Sequence, residues 1–174
     1  MTELDINVNQ LLDEIAEKIR QLPQFSQAPK MIGVQTGGVW LTEALQTRLQ
    51  LADTLGTLNN TFYRDDFATS GLNSCVEPSN IPWDLNDQHV ILVDDVIYTG
   101  RTIRAALNEI FDYGRPASIT LVILLDRQGS RELPFQADIA GMRIENNLTV
   151  KLIGPDPLTV ICPDSTATVT KEAK

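Results

Sequence analysis

Apolar residues recur at helical spacing near the start of the chain, at Val8, Leu11, Leu12, Ile15 and Ile19. That period predicts an amphipathic helix over 7–21. Its polar face carries Asp13, Glu14, Glu17, Lys18 and Arg20. Pro23 and Pro29 punctuate the stretch beyond the helix. Residues 31–35 read as a short buried strand, Thr36-Gly37-Gly38 as a tight turn. Residues 39–50 return to helical period through Leu41, Leu45 and Leu49. A weakly alternating strand is expected over 55–63. Periodicity then fades from 65 to 84, where Ser70-Gly71, Pro78 and Pro82 fall. A loop that long inside a compact domain is uncommon, and is usually functional or mobile.

The clearest unit comes next. Val90-Ile91-Leu92-Val93 is a continuous apolar run, the pattern of a buried parallel strand. Asp94-Asp95 is expected to end it, and Tyr98-Thr99-Gly100-Arg101-Thr102 to form a turn. Ile103, Leu107, Ile110 and Phe111 mark a helix that stops near Gly114. Residues 119–125 form a second buried strand, so the segment reads as a strand-helix-strand crossover. Residues 148–153 and 158–162 pair as a hairpin across Gly154-Pro155-Asp156-Pro157. The pattern predicts one domain over 1–162 and a polar, fraying tail over 163–174.

Charge and composition narrow the function. The net charge is −9, which opposes non-specific affinity for nucleic acid. The longest apolar runs are too short to span a bilayer. The start, Met-Thr-Glu-Leu-Asp, lacks the apolar stretch of a secretory signal. A cytoplasmic protein with no membrane partner is expected. Cys75 and Cys162 have no metal-ligand spacing and read as reduced thiols.

Two carboxylates at the carboxyl end of a buried strand, before a glycine turn into a helix, point to a ligand site. Burying two like charges is costly unless something pairs with them. Sugar hydroxyls and a cation are suitable partners for Asp94 and Asp95. Amides at a helix N-terminus bind phosphate, and a glycine allows close approach. Thr99, Gly100, Arg101 and Thr102 supply such a turn, with Thr99 and Thr102 adding hydroxyl donors. Carboxylates for a diol beside amides for a phosphate describe a ribose-5-phosphate cradle.

The whole string Val-Ile-Leu-Val-Asp-Asp-Val-Ile-Tyr-Thr-Gly-Arg-Thr, 90–102, resembles the phosphoribosyl-pyrophosphate motif of type I phosphoribosyltransferases. Further strings occur in order: Phe62-Tyr63-Arg64-Asp65-Asp66, Ala105-Ala106-Leu107, Gly114-Arg115-Pro116-Ala117-Ser118, Leu125-Asp126-Arg127 and Arg131-Glu132-Leu133-Pro134. Together they are similar to the PyrR family, pyrimidine-operon attenuators that are also uracil phosphoribosyltransferases. The resemblance covers roughly 31–141. It implies an α/β fold, a twisted and mostly parallel sheet flanked by helices with a small hood. It also implies Mg²⁺ held mainly by the activated sugar, uracil and phosphoribosyl pyrophosphate as substrates, UMP as product, and a homodimer or larger oligomer.

On that resemblance Asp94, Asp95 and Val96 meet the ribose, and Thr99 to Thr102 meet the 5′-phosphate. Thr36, Gly37 and Gly38 form the pyrophosphate loop. Arg64 faces pyrophosphate or the mobile loop behind it, and Arg127 sits near the base in the hood. His89 lies at the wrong end of its strand and reads as a surface residue. Trp40 and Trp83 read as packing residues.

The chain also departs from the family pattern. Gly37 stands where the loop usually carries arginine, so a Gly37→Arg change is expected to raise activity if that cation matters. No lysine lies between Arg64 and Asp87. The segment after Arg127, Gln128-Gly129-Ser130, is one residue longer than usual and lacks a histidine. Glu14 and Glu17 stand on the helix that forms the family's RNA face, with Arg131 and Arg143 as the main cations nearby. RNA attenuation is therefore expected to be weak. Two alternatives stay open: a sensor of UMP or the activated sugar with little turnover, and a transferase for another base.

Overall fold

The computed structural model describes residues 2–3, 5–59, 78–129, 131–145 and 149–163. Eight strands are described: β1 (Thr2–Glu3), β2 (Lys30–Val34), β3 (Gly56–Leu58), β4 (His89–Ile97), β5 (Ser118–Arg127), β6 (Ile139–Ile144), β7 (Lys151–Ile153) and β8 (Thr159–Cys162). Three α-helices accompany them: α1 (Val8–Arg20), α2 (Gly37–Leu49) and α3 (Arg101–Asp112).

Five strands form one parallel sheet in the order β3-β2-β4-β5-β6. The remaining three, β1-β8-β7, form a small antiparallel sheet. Its β7–β8 half is the hairpin expected from the sequence.

Period-two alternation divides the core between the faces of the large sheet. Ile91 and Val93 of β4, with Val122 and Leu124 of β5, pack against Leu12, Ile15, Leu41 and Leu45 of α1 and α2. Val90, Leu92, Leu121 and Ile123 point the other way, to Ile103, Ala106 and Ile110 of α3. Both strands are buried on both sides, which is why they read as unbroken apolar runs. Val150, Leu152, Val160 and Cys162 of the small sheet's region join the α1–α2 cluster. Asn7 caps α1, its side chain accepting from Gln10 N–H at 3.0 Å.

The strand order has a direct consequence for ligand binding. The chain leaves β2 toward β3 on one side, and leaves β4 toward β5 on the other. Between β2 and β4 the order reverses, and the crevice at such a point is the usual ligand site of an open α/β sheet. Two loops, 35–36 and 98–100, meet there, and each leads directly into a helix.

Several boundaries differ from expectation. Strand β4 runs on through the acidic pair to Ile97, with Asp94 opposite Ile123 and Val96 opposite Leu125. Pairing with β5 therefore carries the carboxylates inside the ladder rather than past it. Helix α2 begins at Gly37, within the segment that reads as a turn. Strand β6 has no counterpart in the sequence pattern; it adds an edge beside β5. Phe111, expected on the buried helical face, is 56% exposed, because Ile103, Ala106 and Ile110 fill that face instead. Of the expected strand over 55–63, only Gly56–Leu58 is seen, and 60–63 lie outside the described residues. So do most of the long loop, with Cys75, and the tail from 164 onward.

Candidate functional site

A cleft of about 710 Å³ opens at the carboxyl ends of β2 and β4. Thr36 and Gly37 line one wall, and Tyr98, Thr99, Gly100 and Thr102 another. Asp94, Asp95 and Val96 lie between them, while Arg127 and the stretch Thr149–Leu152 close the far side.

Asp94 is buried and Asp95 half-buried. Each carboxylate accepts the backbone N–H of the next residue, Asp94 Oδ1 from Asp95 at 2.9 Å and Asp95 Oδ1 from Val96 at 3.0 Å. These bonds offset part of the cost of withdrawing two like charges from water.

The two helices that start at the cleft lack side-chain caps from their own N-cap residues. Thr36 makes no capping bond to α2, and Gly100 makes none to α3. A helix N-terminus presents amides and partial positive charge to an anion. Gly100 adopts φ +92, where a side chain is strained. Thr99 Oγ1 accepts from Arg101 N–H at 3.3 Å, which helps to set the turn. Two anion-receptive ends thus flank two carboxylates in one cleft.

Family profiles and known proteins bear on this arrangement. The profile described as a phosphoribosyl transferase domain matches residues 2–158. The bifunctional protein PyrR of Nitrosococcus oceani is 51% identical over 161 residues, 89% of this chain and 90% of the relative. PyrR of Pseudomonas aeruginosa is 48% identical over 158 residues, 88% and 92% of the two chains. The chain belongs to the PyrR family of phosphoribosyltransferases.

The fold of this phosphoribosyltransferase also matches solved structures. A Trypanosoma cruzi hypoxanthine phosphoribosyltransferase superposes with TM-score 0.68 at 22% identity, over 89% of this chain and 86% of the other. A hypoxanthine-guanine-xanthine phosphoribosyltransferase gives 0.67 at 22% identity, over 97% and 100%. At that identity the likeness concerns the fold alone.

Most residues singled out from the sequence of this phosphoribosyltransferase meet at the cleft. Thr36, Gly37, Asp94, Asp95, Val96, Thr99, Gly100, Thr102 and Arg127 all line it. Two others do not. Gly38 is buried behind the loop, where an added Cβ would lie 2.5 Å from Val93 O. Arg101 turns outward to Glu132, with Nη2 2.6 Å from its carboxylate. Arg64 lies outside the described residues.

Gly37 packs closely against Asp95. A Cβ there would stand 2.6 Å from Asp95 Oδ2 and 2.9 Å from Asp95 Cβ. Asp95 occupies the space into which a side chain at position 37 would have to start. An arginine at 37 cannot simply be restored.

Tyr98, Trp40 and Lys151 also line the cleft, and sequence reasoning missed them as site residues. The Arg127 guanidinium lies over the Tyr98 ring at 3.9 Å, in cation–π contact. Trp40 both lines the cleft and packs against the β7–β8 turn, since a Cβ on Gly154 would meet its ring at 2.7 Å. Trp83 is a packing residue, set against the cluster of Ile32 and Leu58. His89 is half-buried, 2.7 Å from Ser118 Oγ and 3.2 Å from Gln27 Oε1, so it is tied down at the opposite end of β4.

The residues present fit Mg²⁺ that arrives on a substrate. Mg²⁺ usually takes one or two protein carboxylates and completes its shell with water and substrate phosphates. Asp94 and Asp95 supply two carboxylates at the cleft. Among the described residues, no group of three or more His, Cys, Asp or Glu is arranged as a protein-only metal site.

Proposed function

We propose that this protein joins uracil to 5-phosphoribosyl-1-pyrophosphate, releasing UMP and pyrophosphate. The observation that carries the reading is the pair of helix N-termini, those of α2 and α3, that meet one cleft on either side of Asp94 and Asp95. Phosphoribosyl pyrophosphate has a matching charge pattern: an anion at each end and a diol between them. The choice of uracil rests on membership of the PyrR family and on the Arg131–Pro134 segment.

On this reading the Thr99–Thr102 turn holds the 5′-phosphate, and Asp94 and Asp95 accept from the ribose hydroxyls. Thr36, Gly37 and Gly38 shape the loop for pyrophosphate, and Arg64 adds a cation there. Arg127, stacked on Tyr98, faces the base. The C1′–oxygen bond to pyrophosphate breaks as uracil N1 bonds C1′, and the N1 proton leaves to the departing pyrophosphate or to water. Positive charge that develops on the ribose is stabilised by the carboxylates, and negative charge on the leaving group by loop amides. Mg²⁺ carried in by the substrate, with Asp94 and Asp95 as the carboxylates that would help to hold it, would further neutralise pyrophosphate.

The test is UMP formation from uracil, phosphoribosyl pyrophosphate and Mg²⁺, with hypoxanthine and guanine as competing bases. Uracil-dependent turnover is expected, with neither purine accepted. Turnover with a purine instead would replace the base assignment. Clear UMP binding without turnover would favour the sensor.

The RNA half of the family's dual role has weaker support. Cations around α1 and α2 are engaged within the protein. Arg48 Nε donates to Asp13 at 2.7 Å and its Nη2 to Asn9 at 2.9 Å. Arg20 pairs with Glu17, and Lys18 Nζ donates to Ala140 O at 3.1 Å. Arg131 is drawn inward to Asp126. Titration with pyrimidine-operon leader RNA at moderate salt should therefore give only the weak range of non-specific binding, about 10⁻⁴–10⁻⁶ M. Tight, sequence-specific binding would restore the attenuator role. A homodimer, a cytoplasmic location and a single domain over 1–162 complete the proposal; no helix among the described residues is long and apolar enough to cross a membrane.

A further inference from the structure

The segment after β5 is bonded to the back of the Tyr98–Thr102 turn. Glu132 N–H and Leu133 N–H both donate to Thr99 O, each at 3.0 Å. Arg131 Nη1 donates to Tyr98 O. The other arm of the same guanidinium, Nη2, donates to Asp126 Oδ1 at 2.6 Å. Asp126 is only 3% exposed, so this pair is anchored in the protein interior. On the outer side Arg101 Nε and Nη2 reach Glu132 Oε2 at 2.9 and 2.6 Å. Gly100 lies directly against the same segment: a Cβ there would meet Leu133 Cβ at 3.3 Å and Phe135 Cδ2 at 3.2 Å.

We propose that Arg131 is a positioning residue, and that residues 131–133 form a strap which sets the phosphate-binding geometry of the Tyr98–Thr102 turn. The inference rests on reading that turn as the 5′-phosphate cradle. A cradle of amides works only if its carbonyls point elsewhere, because a carbonyl facing a phosphate repels it. Two successive carbonyls, those of Tyr98 and Thr99, are taken up from behind by three donors of the strap. That fixes both peptide planes before any ligand arrives. The cost of ordering the turn is then met in folding rather than in binding. Arg131 is well suited to this task, since its planar fork spans a buried carboxylate and a carbonyl at once. Tyr98 is held twice, by Arg131 at its carbonyl and by Arg127 at its ring. The strap therefore also bears on the base side of the cleft.

The experiment compares UMP, which carries the 5′-phosphate, with pyrophosphate, which on the same reading binds at the Thr36–Gly38 loop. Calorimetry would be run on the wild type, Arg131→Met, Arg131→Lys and the double variant Arg131→Met/Asp126→Asn. The double variant removes the buried charge that Arg131→Met would strand. Loss of this charge-assisted bond should weaken UMP roughly tenfold or more, in the single and double variants alike, with pyrophosphate affinity unchanged. Arg131→Lys should recover part of the loss. The proposal is overturned if UMP binding is unchanged, if UMP and pyrophosphate weaken together, or if lysine recovers nothing. Thr102→Val, outside the strap, tests the underlying reading separately. Unchanged UMP affinity there would remove the phosphate cradle itself. A loss at Thr102→Val with none at Arg131→Met would remove only the strap.

Discussion

Replacing Gly37 by arginine is expected to lower uracil-dependent turnover by about tenfold or more, although it restores the residue usual at that position in the family. The reason is local. A Cβ at 37 would fall 2.6 Å from Asp95 Oδ2, 2.7 Å from its Cγ and 2.9 Å from its Cβ. Rotating the carboxylate tip does not relieve a contact with Cβ, so the strand or the loop must move. Asp95 would also lose its geometry with Val96 N–H, now 3.0 Å from Oδ1. Overpacking of this kind typically costs about 1–3 kcal/mol, and each 1.4 kcal/mol is tenfold in an equilibrium. On the proposed reading the cost falls on Asp95 and the pyrophosphate loop together. Gly37→Ala separates size from charge, because it adds the Cβ without the cation. The measurement is kcat/KM for phosphoribosyl pyrophosphate in both variants. A similar loss in each assigns the effect to the collision. A gain with arginine would show that Asp95 yields easily and that the missing cation limits the wild type.

The chain announces the cleft well on one side and poorly on the other. The run Val90–Val93, the two aspartates and the Thr-Gly-Arg-Thr turn form a continuous string, so their chemistry and their placement can be read together. Period two does not show where β4 ends, however. Aspartates look like terminators, yet Asp94 remains in the ladder opposite Ile123 because β5 extends far enough to pair with it. The hood side is distant in sequence, and Thr149–Leu152 carries no motif that marks it as cleft wall. Strand β6, Ile-Ala-Gly-Met-Arg-Ile, lacks both an apolar run and clean alternation. It is held by pairing to β5, a contact between segments that local pattern cannot reveal. Arg131 illustrates the same limit: the sequence offers it as a surface cation, while burial of Asp126 draws it inward.

Exchange of Asp94 for asparagine is expected to reduce kcat/KM about 10²–10³-fold while leaving the fold intact. Asparagine has nearly the same shape, and its Oδ1 can still accept Asp95 N–H, the bond now at 2.9 Å. What disappears is the negative charge at a residue only 1% exposed. In so little water a charge interacts strongly with a developing positive centre, and its loss is weakly screened. Because the shape and the accepting oxygen are kept, melting should change little in the variant. Asp95→Asn should have a smaller effect, about tenfold and chiefly in KM for the activated sugar, because Asp95 is half-buried and better screened. Steady-state kinetics on both variants, paired with thermal denaturation, separates these terms. Full turnover in Asp94→Asn would remove it from the reacting centre. Loss of turnover with a matching loss of melting temperature would make the pair structural, and the catalytic charge would have to be sought elsewhere in the cleft.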